Sequence, residues 1–175
     1  MALFSKLFKS DPVPTPKPAP APVREKETYE FIAHCSDPKC EKRLQKYQKF
    51  MTDPEDKYDG MKLMEFKESG YPGDKVWQYP PLDVDVDLKT TVSEDGSVTV
   101  SVYVIDYDID KGEDVELYVG DAAKTKGKKI LRLMQEHDPE ITAELYGGKY
   151  WKMEDSGYVD DRWDEVLTVR VYFEW

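Results

Sequence analysis

Residues 114–150 read DVELYVGDAAKTKGKKILRLMQEHDPEITAELYGGKY, and the fold turns on this stretch. Val115 to Val119 is a short β-rich run ending at Gly120. Asp121 offers a carboxylate to the free N–H groups of a first helical turn. Ala123, Gly127, Ile130, Leu131 and Met134 recur at helical spacing and predict one apolar face. Pro139 stops that helix. Ile141 to Tyr146 is the return strand, closed by Gly147-Gly148. Inside a helix Gly127 costs about 1 kcal/mol against Ala, so it needs a packing reason. On the apolar face, its missing side chain lets the helix approach a sheet closely. Strand, helix, strand gives architecture and names no activity.

Before this unit lies a hairpin. Leu82, Val84, Val86 and Leu88 alternate with Asp83, Asp85 and Asp87, and Val98, Val100, Val102 and Val104 alternate with Thr99, Ser101, Tyr103 and Ile105. A two-residue turn at Asp95-Gly96 would set Asp85 opposite Asp106 and Asp83 opposite Asp108. A three-residue turn with Gly96 left-handed pairs Val92 with Val98, Leu88 with Val102 and Val86 with Val104. The second keeps the apolar residues on one face and separates like charges, so it is the expected register. After the unit, Tyr150 to Met153 is a short strand candidate, and an acidic loop runs through Asp164. Glu165 to Trp175 is a closing strand whose core face is Leu167, Val169, Val171, Phe173 and Trp175.

The domain begins near Thr28 with a strand, Tyr29 to His34. Asp37-Pro38 starts a helix, aspartate at the N-cap and proline at the first helical position. Cys40, Leu44, Tyr47 and Met51 form its apolar stripe, with Lys39, Lys42, Arg43, Lys46 and Lys49 on the other side. Asp53-Pro54 ends it. Met61 to Phe66 reads as a strand. Residues 68–81, ESGYPGDKVWQYPP, are an aromatic-rich loop, a form that covers a core or presents a binding surface.

The first 27 residues are different. In MALFSKLFKS, residues 1–10, Leu3, Phe4, Leu7 and Phe8 fall on one side of a helix, and no acid occurs before Asp11. This is the pattern of a short interfacial helix in peripheral contact with a membrane; a docking peptide for a protein partner is the other reading. Residues 11–27 are a spacer, with proline at every second position from Pro12 to Pro22. In polyproline II form, DPVPTPKPAPAPV spans on the order of 35–40 Å.

Charged residues make up 35% and hydrophobic residues 39% of the 175, enough apolar residues for a core in one domain, 28–175. The net charge of −11 disfavours bulk attraction to nucleic acid or anionic lipid, so local patches decide. Two cysteines, Cys35 and Cys40, are too few for a disulfide scaffold. With no secretory signal and no run long enough to span a membrane, the expected location is cytoplasmic, peripheral at the inner membrane face if residues 1–10 bind lipid.

Candidate chemistry is sparse. His34, Cys35 and Cys40 lack the second matched pair of a zinc site, and Cys40 belongs to an apolar helix face. The run DYDIDKGED spaces its aspartates like an EF-hand loop, but Leu117 stands where the twelfth-position glutamate belongs. No nucleophile motif, metalloprotease motif or phosphate-binding glycine loop occurs. The reading is non-catalytic, with no metal and no cofactor. Charge patterning says more. Lys124, Lys128 and Arg132 fall four residues apart, with Lys129 beside them. With the aromatics Tyr71 and Trp77 they are the candidate contacts for single-stranded nucleic acid. Conversely, Asp83, Asp85 and Asp87 are candidate contacts for a basic protein partner, in an inhibitor-like module that imitates a phosphate backbone.

The order of elements resembles the HIRAN domain. The resemblance rests on Tyr118-Val119-Gly120 ending a strand, the helix, the strand ITAELYGG and a final strand. Residues 71–76, Tyr-Pro-Gly-Asp-Lys-Val, resemble the family's Asn-Pro-Tyr-Asp stretch and depart from it at most positions. The resemblance implies a compact β-barrel with helices and an association with single-stranded or end-containing DNA. The expected fold is α+β: a curved antiparallel sheet or small β-barrel with two packed helices, near 38–51 and 121–137. The expected function is a non-catalytic binding module for nucleic acid; the alternative is the acidic protein-interaction module.

Overall fold

Gly96 adopts φ +75°, and the three-residue turn that requires it sets the hairpin register Val86 to Val104, Leu88 to Val102 and Val92 to Val98. This is the register that the valine alternation predicts. The structure, a computed structural model, describes residues 26–108 and 111–175. The expected membrane-contact residues Leu3, Phe4, Leu7 and Phe8, and the spacer up to residue 25, lie outside the described residues.

The elements run β1 (Thr28–His34), α1 (Pro38–Met51), a kinked 3-10 segment (Pro54–Gly60), α2 (Leu63–Ser69), β2 (Lys75–Trp77), β3 (Leu82–Asp83), β4 (Val86–Val92), β5 (Val98–Asp108), β6 (Glu113–Asp121), α3 (Gly127–His137), β7 (Glu140–Met153) and β8 (Val159–Glu174). One antiparallel sheet has the order β1-β8-β7-β2, with β3 also pairing on β7; the other has the order β4-β5-β6. The fold is α+β, and the ladders do not close into a barrel. Instead the chain crosses between sheets at Val84. Its N–H donates to Ala143 of β7, while the carbonyl of Asp85 accepts from Ile105 of β5. The far edges meet where Ser36 N–H donates to Val119 O at 3.0 Å.

Between the sheets lie Val100, Val102 and Val104 from one side and Leu167, Val169, Val171 and Phe173 from the other, all at 0% exposure. Phe31 meets Phe173 edge-on, centroids 5.7 Å apart. Burial of each large side chain is worth roughly 1.5–3 kcal/mol. A second cluster, Phe66, Val76, Trp151, Met153 and Val159, lies at the far end of β7. Tyr58 stacks on Trp151 there at 3.7 Å.

Four expectations change. Residues 61–66 are not a strand: α2 begins at Leu63, and Glu65 accepts the Lys62 N–H at 2.8 Å to start it. Asp121 does not cap α3. It ends β6, and its carboxylate accepts from Ser101 Oγ at 2.7 Å and from the Tyr118 hydroxyl at 3.0 Å. The helix starts six residues later, so Ala123 is exposed and Ala122 is buried in its place. Gly147-Gly148 does not end β7. The pair forms a bulge through which β7 continues to Met153, and both glycines have positive φ. On α1 the buried stripe is Cys40, Leu44 and Gln48, while Met51 is 52% exposed.

Gly127 has the packing reason its position requires. A Cβ there would lie under 3.0 Å from the Val98 carbonyl oxygen of β5. As the first residue of α3 it forgoes little helix propensity, so the clash decides the sign of a substitution. Gly127→Ala is expected to destabilise the fold by about 1–3 kcal/mol, the usual cost of overpacking. Thermal unfolding should show a lower midpoint for this variant and little change for Lys128→Ala; an unchanged or raised midpoint for Gly127→Ala would refute the close approach.

Candidate functional site

The site is built on α1. Asp37 caps it, accepting the Lys39 N–H at 3.0 Å, and Pro38 occupies the first turn. Burial of Cys40, Leu44 and Gln48 turns the opposite side outward. The Gln48 amide lies beside the bulge: a Cβ on Gly148 would be in ordinary contact with Gln48 Oε1, at 3.8 Å. Lys39, Lys42, Lys46 and Lys49 therefore recur on one exposed face. The helix contains a single acid, Glu41. None of the four lysines has an ion pair among the described residues. Neighbouring like charges on a helix cost a few tenths of a kcal/mol per pair, so the face is not self-stabilising.

Arg43 differs from these lysines. Its guanidinium reaches across to β5, 3.3 Å from Asp106 Oδ2 and 3.6 Å from Asp108 Oδ2. The two carboxylates are only 19% and 18% exposed, so the contact is better shielded than a surface pair and ties α1 to the end of β5. Between helix and strands runs an open groove of about 950 Å³. Lysines of α1 form one wall; Asp85, Asp106, Asp108 and Asp114 contribute to the other. Tyr47 and Ile105 also line it, with Phe50 and Tyr107 exposed at 76% and 59%. Burial pushes the Tyr47 phenol up, helped by the nearby charges of Asp106 and Asp85. The hairpin register keeps Asp85 and Asp106 from facing each other, yet the bend at Val84 brings both to this groove. On the other flank of α1 lies a smaller groove of about 410 Å³, shared by Lys42, Lys46, Lys49, Tyr79, Lys149 and Asp164.

The sequence-predicted contacts are arranged differently. Lys124 lies before α3, not on it. Lys129 Nζ sits 4.0 Å from the centre of the Tyr29 ring, and Arg132 pairs with Glu136 at 3.6 Å. Lys128 lies near Asp95, whose carboxyl is held below the usual range mainly by the Ser97 N–H and in part by this lysine. Trp77 packs on Tyr150 at 4.7 Å, and Tyr71 is 75% exposed. The end of α3 stacks on Trp175 through His137, beside the start of β7, whereas Trp77 pairs with Tyr150 ten residues along that strand. Tyr71 and Trp77 thus belong to the other end of β7 from the end of α3. Asp83 lies on β3 opposite Glu144, Asp85 at the bend, and Asp87 on β4 beside Lys89 at 3.8 Å. The three carboxylates straddle the corner between the sheets. The signal for α1 is in the sequence: five basic residues against one acid within fourteen. The carboxylate wall opposite it is not, since Arg43 and Asp106 are 63 residues apart.

Among the described residues no group of three or more His, Cys, Asp or Glu side chains could hold a metal ion. His34 Nδ1 meets Thr168 Oγ1 at 2.9 Å. Cys35 and Cys40 lie beside one another at the start of α1; burial, then the Cys35 thiol, push Cys40 up to about 12. A thiol, not a thiolate, stands there at neutral pH, and only the thiolate binds metal or attacks an electrophile. Iodoacetamide near pH 8 should leave Cys40 unmodified in the native chain and label it after denaturation. Rapid native labelling of Cys40 would contradict the buried thiol.

No helix among the described residues is long and apolar enough to cross a membrane. No family model, no curated protein and no solved structure matches this chain.

Proposed function

We propose that this chain is a non-catalytic binding module that holds single-stranded or end-containing nucleic acid along the lysine face of α1. One observation carries the reading: four exposed lysines on one helix face without an ion pair among the described residues, in a chain of net charge −11. Elsewhere among the described residues, Lys26, Lys75, Lys89, Lys111, Arg132 and Lys152 stand within ion-pair distance of a carboxylate, while Lys124 and Lys128 do not; what sets α1 apart is four such lysines on one face of one helix. Phosphates recruit unpaired lysines, and aromatic rings beside them supply stacking faces for unpaired bases. Phe50 and Tyr79 flank the lysines, one on each groove. The resemblance to the HIRAN domain implies the same ligand class, while the closed barrel that it also implies is not formed by the two sheets. The acidic-inhibitor alternative calls for Asp83, Asp85 and Asp87 on one face, and their split across the corner makes it the weaker reading.

Fluorescence anisotropy with a labelled single-stranded oligonucleotide tests the proposal. Binding should weaken with salt, with a log–log slope of about −3 if four lysines each meet a phosphate. The triple variant Lys42→Glu, Lys46→Glu, Lys49→Glu should bind at least about tenfold more weakly. Charge reversal of Lys124, Lys128 and Arg132 should change affinity much less. Equal binding by wild type and the α1 variant would remove α1 as the site.

A further inference from the structure

We propose that the groove between α1 and β5 receives an unpaired base and that its carboxylate wall selects bases bearing an exocyclic amino group. This rests on the nucleic-acid reading of α1 and adds a base preference to it.

The groove has walls of opposite charge. A plain polyanion is attracted by the lysine wall and repelled by the aspartate wall; a basic peptide meets the reverse. A nucleotide suits both, because it is dipolar. Its phosphate is anionic, a sugar links that phosphate to a flat aromatic base, and the edge of the base carries hydrogen-bond donors. Lys42 and Lys46 line both grooves, so a sugar-phosphate chain following the lysine face passes along the rim. From there a base enters over Tyr47 and Phe50, toward Asp85 and Asp114. A volume of about 950 Å³ accommodates a nucleotide with solvent to spare.

The carboxylates differ in availability. Asp106 and Asp108 are engaged by Arg43. Asp85 and Asp114 are exposed and have no cation among the described residues. An ionised carboxylate only accepts hydrogen bonds. Cytosine offers it a 4-amino group, and adenine and guanine offer amino groups of their own. Uracil and thymine offer a single ring N–H between two carbonyl oxygens, and those oxygens face the carboxylate unfavourably. Acidic side chains accept from the cytosine amino group in base readout generally.

Cytosine against uracil is the discriminating pair, since both are pyrimidines and stack alike. Competition binding near neutral pH would compare an oligodeoxycytidine with an oligodeoxyuridine of equal length on the full chain. The expected result is about tenfold tighter binding of the cytidine strand. Asp85→Asn with Asp114→Asn should bring the two strands within about twofold, since an amide both donates and accepts. Both positions are exposed, and an unchanged unfolding midpoint would show that the variant folds. Equal affinity of the two strands for wild type, with loss of both in the α1 lysine variant, overturns base selection and leaves the α1 reading standing. A cytidine preference that survives the double Asn variant overturns the carboxylate wall as its source. Absence of binding by either strand, or capture of an oligolysine peptide instead, overturns both.

Discussion

Two backbone carbonyls govern how this chain closes. The oxygen of His34 lies where a side chain on Gly120 would have to be, and that of Val98 lies where one on Gly127 would be. The first approach lets the end of β6 meet the end of β1 and so brings the two sheets together at their far edge. The second seats α3 on β5. Neither contact involves a side chain that could yield, so the tolerance at each point is set by backbone packing. Because β1 leads directly into α1, the β1–β6 contact also fixes where α1 begins. Ser36 donates to Val119 and Cys35 to Leu167, and Asp37 caps the helix within the next turn of chain.

From that start, α1 has little freedom. Leu44 is fully buried, Gln48 is 1% exposed in the space beside Gly148, and Arg43 is held by two carboxylates of β5. With three points fixed, the direction of the lysines follows from helical periodicity. The basic face is thus a consequence of how the core closes, while the lack of ion pairs for its lysines among the described residues is not. Acidic partners four residues away would stabilise the helix locally, and α1 lacks them.

How much of this can be read from the sequence depends on the range of the interaction. The hairpin register is legible because Val86 to Val104 alternate and one turn length keeps the valines together, with Gly96 supplying the left-handed residue. The α1 cap is legible in Asp37-Pro38, and the role of Gly127 in a glycine set among residues of one apolar face. Residues 61–66 mislead because a short apolar run fits strand or helix equally; Glu65 reaching back to Lys62 is the local signal for helix. Gly147-Gly148 misleads because glycines mark strand ends and bulges alike. Asp121 precedes an apolar period yet serves β6. The groove itself is not legible, since Arg43 meets Asp106 only after the intervening elements have folded. A basic stripe on α1 and an acidic stripe near 106–114 are each visible alone; their juxtaposition belongs to the tertiary structure.

A net charge of −11 and the phosphate-binding role proposed for the α1 face are compatible when distances are compared. Screening confines exposed charges to about 8 Å at physiological ionic strength. The lysines from Lys39 to Lys49 run about 15 Å along α1, so a strand in contact senses mainly that face. A strand farther away senses the acidic remainder and is repelled. For the proposed complex, salt would therefore act in two directions: it would relieve the distant repulsion that slows encounter and weaken the phosphate contacts that hold the strand. The carboxylates of the groove belong to both regimes. At long range they add to the repulsion of any polyanion. In the proposed complex these carboxylates, which line the groove together with Tyr47 and Phe50, would be acceptors for a base edge, and only a ligand that brings donors to that wall would offset what its phosphates lose there.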